Sequence, residues 1–85
     1  LDVEGRKCLD IGTGSGILAV TMAKKGAEVV AADINPEALE AARDRADQED
    51  TDIKLVESDL FENIEEEFDL IVFNPPYLPG EEGVG

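Results

Sequence analysis

The chain is poor in the residues that most often carry metal or covalent chemistry. It contains no histidine and a single cysteine, Cys8, among its 85 residues. Because Cys8 lies in a short apolar stretch, we interpret it as a buried structural thiol. One cysteine excludes a disulfide within the chain, and the missing histidines argue against a zinc site. We therefore expect no bound metal, and this cysteine content fits a reducing compartment such as the cytoplasm.

Basic residues are also scarce, with 7 Lys and Arg against 21 Asp and Glu and a formal net charge of −14. Surfaces that bind nucleic acid are basic, so this balance argues against such a surface. The argument is weak, because an acid excess is also typical of proteins kept soluble in high salt. Long apolar runs are missing too, since no stretch approaches the ~20 residues of a membrane span. The composition, with 42% hydrophobic residues, favours a small globular domain.

The most informative stretch is residues 8–16. A short apolar run contains Asp10 and leads into three glycines at alternate positions: Gly12, Gly14 and Gly16. Such a pattern predicts a strand, a tight turn and a helix start, the arrangement by which α/β proteins bind polar ligands. Gly12 and Gly14 can take positive φ and let backbone N–H groups approach a ligand closely. A turn that merely links a strand to a helix is the plainer alternative.

The glycine turn differs from the dinucleotide-binding fingerprint. That fingerprint, G-x-G-x-x-G, requires glycine at position 17, where this chain has Ile17. The carboxylate of Asp10 would repel a pyrophosphate but would suit an ammonium group. The turn therefore favours a cationic or zwitterionic nucleoside over NAD.

The apolar pattern predicts an α/β fold with a parallel sheet, for which we expect the strand order 3-2-1-4. The connection over residues 57–67 must cross roughly 22 Å to return beside the first strand. It can do so only if it is mostly irregular. The predicted strands cover residues 7–11, 28–33, 53–56 and 68–73, and the predicted helices cover residues 15–25 and 36 to about 46.

Polar residues follow the strands at the sheet edge where ligands collect in such folds. Asp10 and Asp33 end the first two strands, and a carboxylate at Asp33 can accept hydrogen bonds from both hydroxyls of a ribose. Asp59 follows the third strand and could accept a bond from an adenine amino group while Leu60 packs on the ring. A plain surface role for Asp59 is nearly as plausible in an acid-rich chain.

The fourth strand leads directly into the sequence Asn74-Pro75-Pro76-Tyr77. Two prolines remove two backbone donors and fix φ, so the carbonyl groups of Asn74 and Pro75 can project into a pocket as acceptors. Tyr77 adds a flat face beside them. These residues predict a site for an NH₂ group next to a planar substituent, and a rigid turn at a strand end is the alternative.

Together these motifs resemble the HemK/PrmC family of class I S-adenosylmethionine-dependent methyltransferases, which methylate glutamine N5 in translation release factors. The resemblance implies a Rossmann-like fold and S-adenosyl-L-methionine as cofactor. It places Asp10, Gly12 and Gly14 at the methionine end of the cofactor. It further implies contacts of Asp33 with the ribose, of Asp59 and Leu60 with the adenine, and of Asn74, Pro75 and Tyr77 with the substrate amide. It also places Ile34 and Asn74 among the cofactor-binding residues. The stretches that carry the likeness are residues 10–16, 33–36, 58–61 and 68–77.

The resemblance also shapes what we expect of the whole protein. The helical N-terminal domain of bacterial members has no counterpart here, so the chain is most similar to the short archaeal and eukaryotic-type members. Those members work with a small zinc-binding activator subunit, which makes such a partner possible. We expect residues 1–85 to be one domain, the N-terminal part of a longer one.

Three other functions stay open at this point. Methyltransferases that act on N6 of adenine share the Asn-Pro-Pro-Tyr motif, although the acidic composition is awkward for a nucleic-acid substrate. A non-catalytic module that binds S-adenosylmethionine is a further alternative, and a nicotinamide oxidoreductase is a distant one.

Overall fold

Parallel strands alternate with helices along the chain. The computed structural model describes residues 2–59, 62 and 64–73. Within these residues the strands form one parallel sheet in the order β3-β2-β1-β4, which confirms the predicted order. The elements are β1 (Lys7–Ile11), α1 (Ile17–Lys24), β2 (Glu28–Asp33), α2 (Pro36–Gln48), β3 (Lys54–Glu57) and β4 (Leu70–Phe73).

The helix boundaries differ from the predicted ones for identifiable reasons. The first helix was expected over residues 15–25, but α1 begins at Ile17 because Gly16 has a φ of 81°, which a right-handed helix cannot accommodate. The second helix extends two residues beyond its expected end near Ala46, because its hydrogen bonds continue up to the N–H of Glu49, which donates to the carbonyl of Arg45 at 3.0 Å. Asn35 caps α2, and its side-chain oxygen accepts the backbone N–H of Glu37 at 2.9 Å.

The last two strands begin later than expected. β3 is shifted by one residue relative to residues 53–56, and β4 begins at Leu70 rather than at residue 68. A pair of hydrogen bonds joins the chain to β1 just before β4. The N–H of Asp69 donates to the carbonyl of Lys7 at 2.8 Å, and the N–H of Lys7 donates to Asp69 Oδ2 at 2.9 Å. These bonds align β4 beside β1.

The two faces of the sheet are covered differently. Helix α1 packs on one face of the sheet, called here the α1 face. The buried cluster on this face contains Met22 and, as predicted, Cys8. The opposite face holds a second buried cluster: Leu9, Ile11, Val30 and Ala32. Neither helix, nor any other in the described ranges, is long and apolar enough to cross a membrane.

The connection between β3 and β4 crosses the opposite face. Ile64 and Phe68 pack on the cluster there, and the described residues of this connection form no helix, in line with the expectation. Glu66 fastens the connection to the sheet because its carboxylate pairs with Lys54 at 3.0 Å and also with Lys7. One carboxylate thus links β1 and β3 on either side of β2.

Candidate functional site

The carboxyl end of β2 organises the loops that follow three of the strands. The carbonyl of Ala32 accepts the N–H of Gly12 at 2.8 Å and that of Thr13 at 3.1 Å. The carbonyl of Asp33 accepts the N–H of Ser58 at 3.0 Å. The glycine turn after β1 and the segment after β3 are therefore both attached to the last two residues of β2.

The carboxylate of Asp33 extends this arrangement. Its side chain is almost fully buried, with 5% of the residue exposed. Oδ2 accepts the N–H of Gly14 at 3.1 Å, and Oδ1 accepts the N–H of Asn35 at 2.9 Å. A carboxylate has about four lone-pair sites, so two remain for a ligand. Asp33 can thus accept two further hydrogen bonds, the number that the hydroxyls of a ribose would donate.

Asp10 is the most unusual group in the described part of the chain. Its residue exposure is 0%, and neither carboxylate oxygen has a hydrogen-bond partner there. Burial raises the pKa of the Asp10 carboxyl, and the negative charge of Asp33 adds to the rise. The hydroxyl of Thr13 lies close enough to oppose part of the pKa shift, but no well-formed hydrogen bond links the two side chains. A buried, unpartnered carboxylate is costly, and a cation beside it would offset that cost.

The three glycines of the turn have different roles. Gly12 and Gly14 both have positive φ, 78° and 56°, as the sequence predicted. A Cβ added to Gly14 would meet nothing within 4 Å, so the backbone there borders open space that a ligand can enter. A Cβ on Gly16 would lie 2.7 Å from the Cβ of Ala42. Gly16 is therefore needed for the close packing of α1 against α2.

Apolar side chains surround this polar centre. Ile17 begins α1 after the glycine turn, Ile34 follows β2 and Phe73 ends β4. Their exposed fractions are 58%, 59% and 54%. Ile34, predicted as a cofactor-binding residue, comes directly after Asp33 at the end of β2. Exposed apolar surface beside two buried carboxylates suits a ligand that combines a flat base with charged groups.

Not all predicted site residues are brought together by the described structure. Asp10, Gly12, Gly14, Asp33 and Ile34 lie at one edge of the sheet. Asp59 follows β3 and is exposed, so its predicted adenine contact stays a prediction. Three predicted sites fall outside the described residues: Leu60, the Asn74-Pro75 pair and Tyr77. Phe73 pairs with Ile11 in the sheet, so the described part of β4 ends beside the last residue of β1.

The sequence did not predict the roles of two residues, Thr13 and Ala42. Thr13 is buried, and its hydroxyl has no hydrogen-bond partner in the described structure. A small hydroxyl residue inside the glycine turn, three positions after Asp10, was the available signal. The second residue is Ala42, whose close approach to Gly16 depends on how two helices pack against each other. Sequence spacing carries no information about that approach.

Comparison with known proteins agrees with this geometry. A family model described as the methyltransferase small domain matches residues 1–84. A protein of Methanocaldococcus jannaschii, provisionally named a protein N5-glutamine methyltransferase, is 47% identical over 83 residues, which cover 96% of this chain and 42% of that protein. The release factor glutamine methyltransferase of Streptococcus pneumoniae is 49% identical over 87% of this chain and 27% of its own length. The chain thus spans less than half the length of these curated relatives.

Solved structures show the same fold. A T. thermophilus 16S rRNA methyltransferase in complex with AdoMet and guanosine superposes with a TM-score of 0.83 and 35% identity, over 92% of this chain and 22% of that one. The Pyrococcus abyssi tRNA (uracil-54, C5)-methyltransferase in complex with S-adenosyl-L-homocysteine gives a TM-score of 0.78 and 32% identity, over 88% of this chain and 19% of that one. The fold is the Rossmann-like class I methyltransferase fold that the motifs implied, and the chain belongs to the methyltransferase small domain family.

Proposed function

We propose that this chain carries the cofactor-binding half of an S-adenosylmethionine-dependent N-methyltransferase that acts on a glutamine side-chain amide of a translation release factor. The observation that carries the proposal is the carboxylate of Asp10, which is fully buried and has no hydrogen-bond partner in the described structure. The α-ammonium group of a methionine moiety would supply the missing positive charge.

The residues present fit this cofactor at three further points. The carboxylate of Asp33 keeps two free acceptor positions for ribose hydroxyls. The open space beside Gly14 leaves the backbone accessible. Ile34 offers an exposed apolar side chain next to Asp33. Two buried carboxylates at one edge of the sheet also disfavour a pyrophosphate, which supports S-adenosylmethionine over NAD.

The chemistry itself needs positioning more than acid or base catalysis. When bound, S-adenosylmethionine supplies an electrophilic methyl group on a positively charged sulfonium. An amide nitrogen is a weak nucleophile, because its lone pair is delocalised into the carbonyl. In our proposal the oxygens of Asn74 and Pro75 accept the two N–H bonds of the substrate amide, which orients the nitrogen lone pair. The same oxygens stabilise positive charge developing on that nitrogen, and Tyr77 lines the planar side of the amide.

The substrate assignment is supported by the names of the relatives. Proteins named release factor glutamine methyltransferase match over most of this chain, whereas the rRNA and tRNA enzymes share the fold at lower identity. The acidic composition favours a protein over a nucleic acid. The zinc-binding activator subunit and a cytoplasmic location stay predictions.

Cofactor binding is tested by isothermal titration with S-adenosylhomocysteine and with NAD. We expect binding of S-adenosylhomocysteine alone. The Asp10→Asn variant should bind it more weakly, because the ammonium group loses its counter-charge. The Asp52→Asn variant is a matched control, since it removes one exposed carboxylate of the same type. Tight binding of NAD would contradict the proposal.

Substrate choice is tested by methyl transfer to a release-factor glutamine peptide and, in parallel, to an adenine-containing oligonucleotide. Transfer to the peptide alone is expected, and Asn74→Ala should lower turnover by about 10²–10³-fold while cofactor affinity stays within a few-fold. Gln48→Ala, a truncated amide at the exposed end of α2, serves as control. Transfer to the oligonucleotide alone would replace glutamine by adenine as the substrate. Cofactor binding without any transfer would favour a non-catalytic module.

A further inference from the structure

We infer that Asp33 is a positioning residue that couples the two ends of the cofactor site, holding the glycine turn in its binding conformation as well as accepting the ribose hydroxyls. This inference rests on the proposed function for its ligand. It goes further because it assigns to one carboxylate a role at the methionine end of the site, which the ribose contact alone does not include.

The hydrogen bonds of Asp33 carry the argument. Oδ2 accepts the N–H of Gly14 at 3.1 Å across 19 residues of sequence. Gly14 is the residue of the turn whose Cβ position opens into empty space. Gly14 has a positive φ of 56°, and its N–H is directed to Asp33. The turn therefore has its conformation set by the side chain that also faces the ribose position.

The other oxygen of Asp33 makes the carboxylate rigid. Oδ1 accepts the N–H of Asn35 at 2.9 Å, and the backbone carbonyl of Asp33 accepts the N–H of Ser58 at 3.0 Å. With the residue 5% exposed, the carboxylate has little freedom to rotate. A change in the charge or hydrogen bonding of Asp33 therefore affects the glycine turn as well as the ribose position.

Replacing Asp33 by asparagine weakens the hydrogen bonds that its carboxylate accepts, and a ligand without ribose hydroxyls then separates its two roles. In Asp33→Asn one oxygen becomes an NH₂ group, which cannot accept a backbone N–H, and the negative charge is lost. Whichever way the amide turns, Gly14 loses its charged acceptor, because at best its N–H bonds to a neutral amide oxygen and Asn35 then loses its own acceptor. Asp44→Asn is the matched control, because it removes the same charge from an exposed position on α2.

The experiment measures binding of two ligands to the full chain: S-adenosylhomocysteine and its 2′,3′-dideoxy analogue, which lacks both ribose hydroxyls. If Asp33 served the ribose only, the wild type and Asp33→Asn would bind the dideoxy analogue equally. We expect the variant to bind that analogue about 10-fold or more weakly, the size of one charge-assisted hydrogen bond. Affinities are referred to the folded fraction, which thermal melts provide, so a loss of stability alone does not change the result.

A second measurement does not depend on any ligand. In the ligand-free chain, the amide proton of Gly14 should resonate downfield in the wild type and in Asp44→Asn, and should move upfield in Asp33→Asn. An unchanged Gly14 resonance, or equal binding of the dideoxy analogue, overturns the inference. A wild type that binds neither ligand refutes the proposed function instead, and the Gly14 resonance then decides the inference by itself.

Discussion

Replacing Asp10 by asparagine should stabilise the ligand-free protein while weakening its cofactor binding. In the described structure, the carboxylate of Asp10 is fully buried and has no hydrogen-bond partner. An unsatisfied neutral polar group costs about 1–3 kcal/mol in a protein interior, and a charged group costs more. The Asp10→Asn variant still buries an unsatisfied neutral polar group, but it no longer buries a charge. We therefore expect the free energy of unfolding to rise by at least about 1 kcal/mol near neutral pH, or roughly 4–8 °C in Tm for a domain of this size.

The pH dependence of that gain follows from the raised pKa of Asp10. Because burial raises this pKa in the folded state, the folded chain holds the proton more tightly than the unfolded chain does. The Asp10 contribution to stability is therefore favourable below the ordinary carboxyl pKa and is lost as pH rises through the folded-state value. The advantage of Asp10→Asn should be largest at pH 8 and should shrink as pH falls toward 3.8, the ordinary pKa of an Asp carboxyl.

Thermal and urea melts across this pH range measure the effect. Asp52→Asn is again the control, because any lost acid relieves some repulsion in a chain of net charge −14. Subtracting the stability change of Asp52→Asn from that of Asp10→Asn leaves the part that is due to the burial of Asp10. A gain equal to that of Asp52→Asn, or one that grows at low pH, would show that the Asp10 carboxylate has a favourable partner and that our reading of it is wrong.

Further predictions concern the glycine turn and the surface charges. Gly16→Ala should destabilise the fold by about 1–3 kcal/mol because its Cβ would overlap Ala42. Gly14→Ala, also at positive φ, should cost less stability but should weaken S-adenosylhomocysteine binding. The reverse pattern in melts and titrations would contradict our separation of their roles. Glu66→Gln should lower stability more than the exposed Glu65→Gln at low salt, because Glu66 alone of the two pairs with lysines in the described structure. That difference should vanish in molar salt. Urea melts of the wild type should also shift upward in molar salt, because net charge opposes folding.

The parts of the fold that sequence could predict are those governed by local patterns. Apolar runs predicted the element order, and the expected strand order was compatible with the length of the connection before β4. The predicted ends of the helices and strands were less accurate. The start of α1 depended on the backbone conformation of Gly16, which alternate glycines alone do not reveal. The start of β4 depended on hydrogen bonds between Asp69 and Lys7, 62 residues apart.

For the candidate site, the sequence could predict which residues lie at the sheet edge but not their hydrogen bonds. Asp33 was expected to bind the hydroxyls of a ribose, but its carboxylate also accepts the N–H groups of Gly14 and Asn35. Asp10 was expected near a cation, but its complete burial and its neighbour Thr13 emerge only from packing. Such features depend on contacts between distant segments, which composition and spacing do not contain.

The sheet topology has a consequence for the order in which the protein folds. β1 and β2 pair across about twenty residues, and β2 pairs with β3 across a similar distance. β4, by contrast, meets β1 across 62 residues. Closing a loop about three times longer costs about 1 kcal/mol more in chain entropy, so β4 should join a sheet that is already formed.

The cofactor side of the candidate site would then be complete before the chain that leads to Asn74 arrives beside it. In refolding experiments, Val72→Ala in β4 should mainly speed unfolding, whereas Val30→Ala in β2 should mainly slow folding. A kinetic intermediate with an intact glycine turn and an unpaired β4 would bind cofactor before it gained a substrate site.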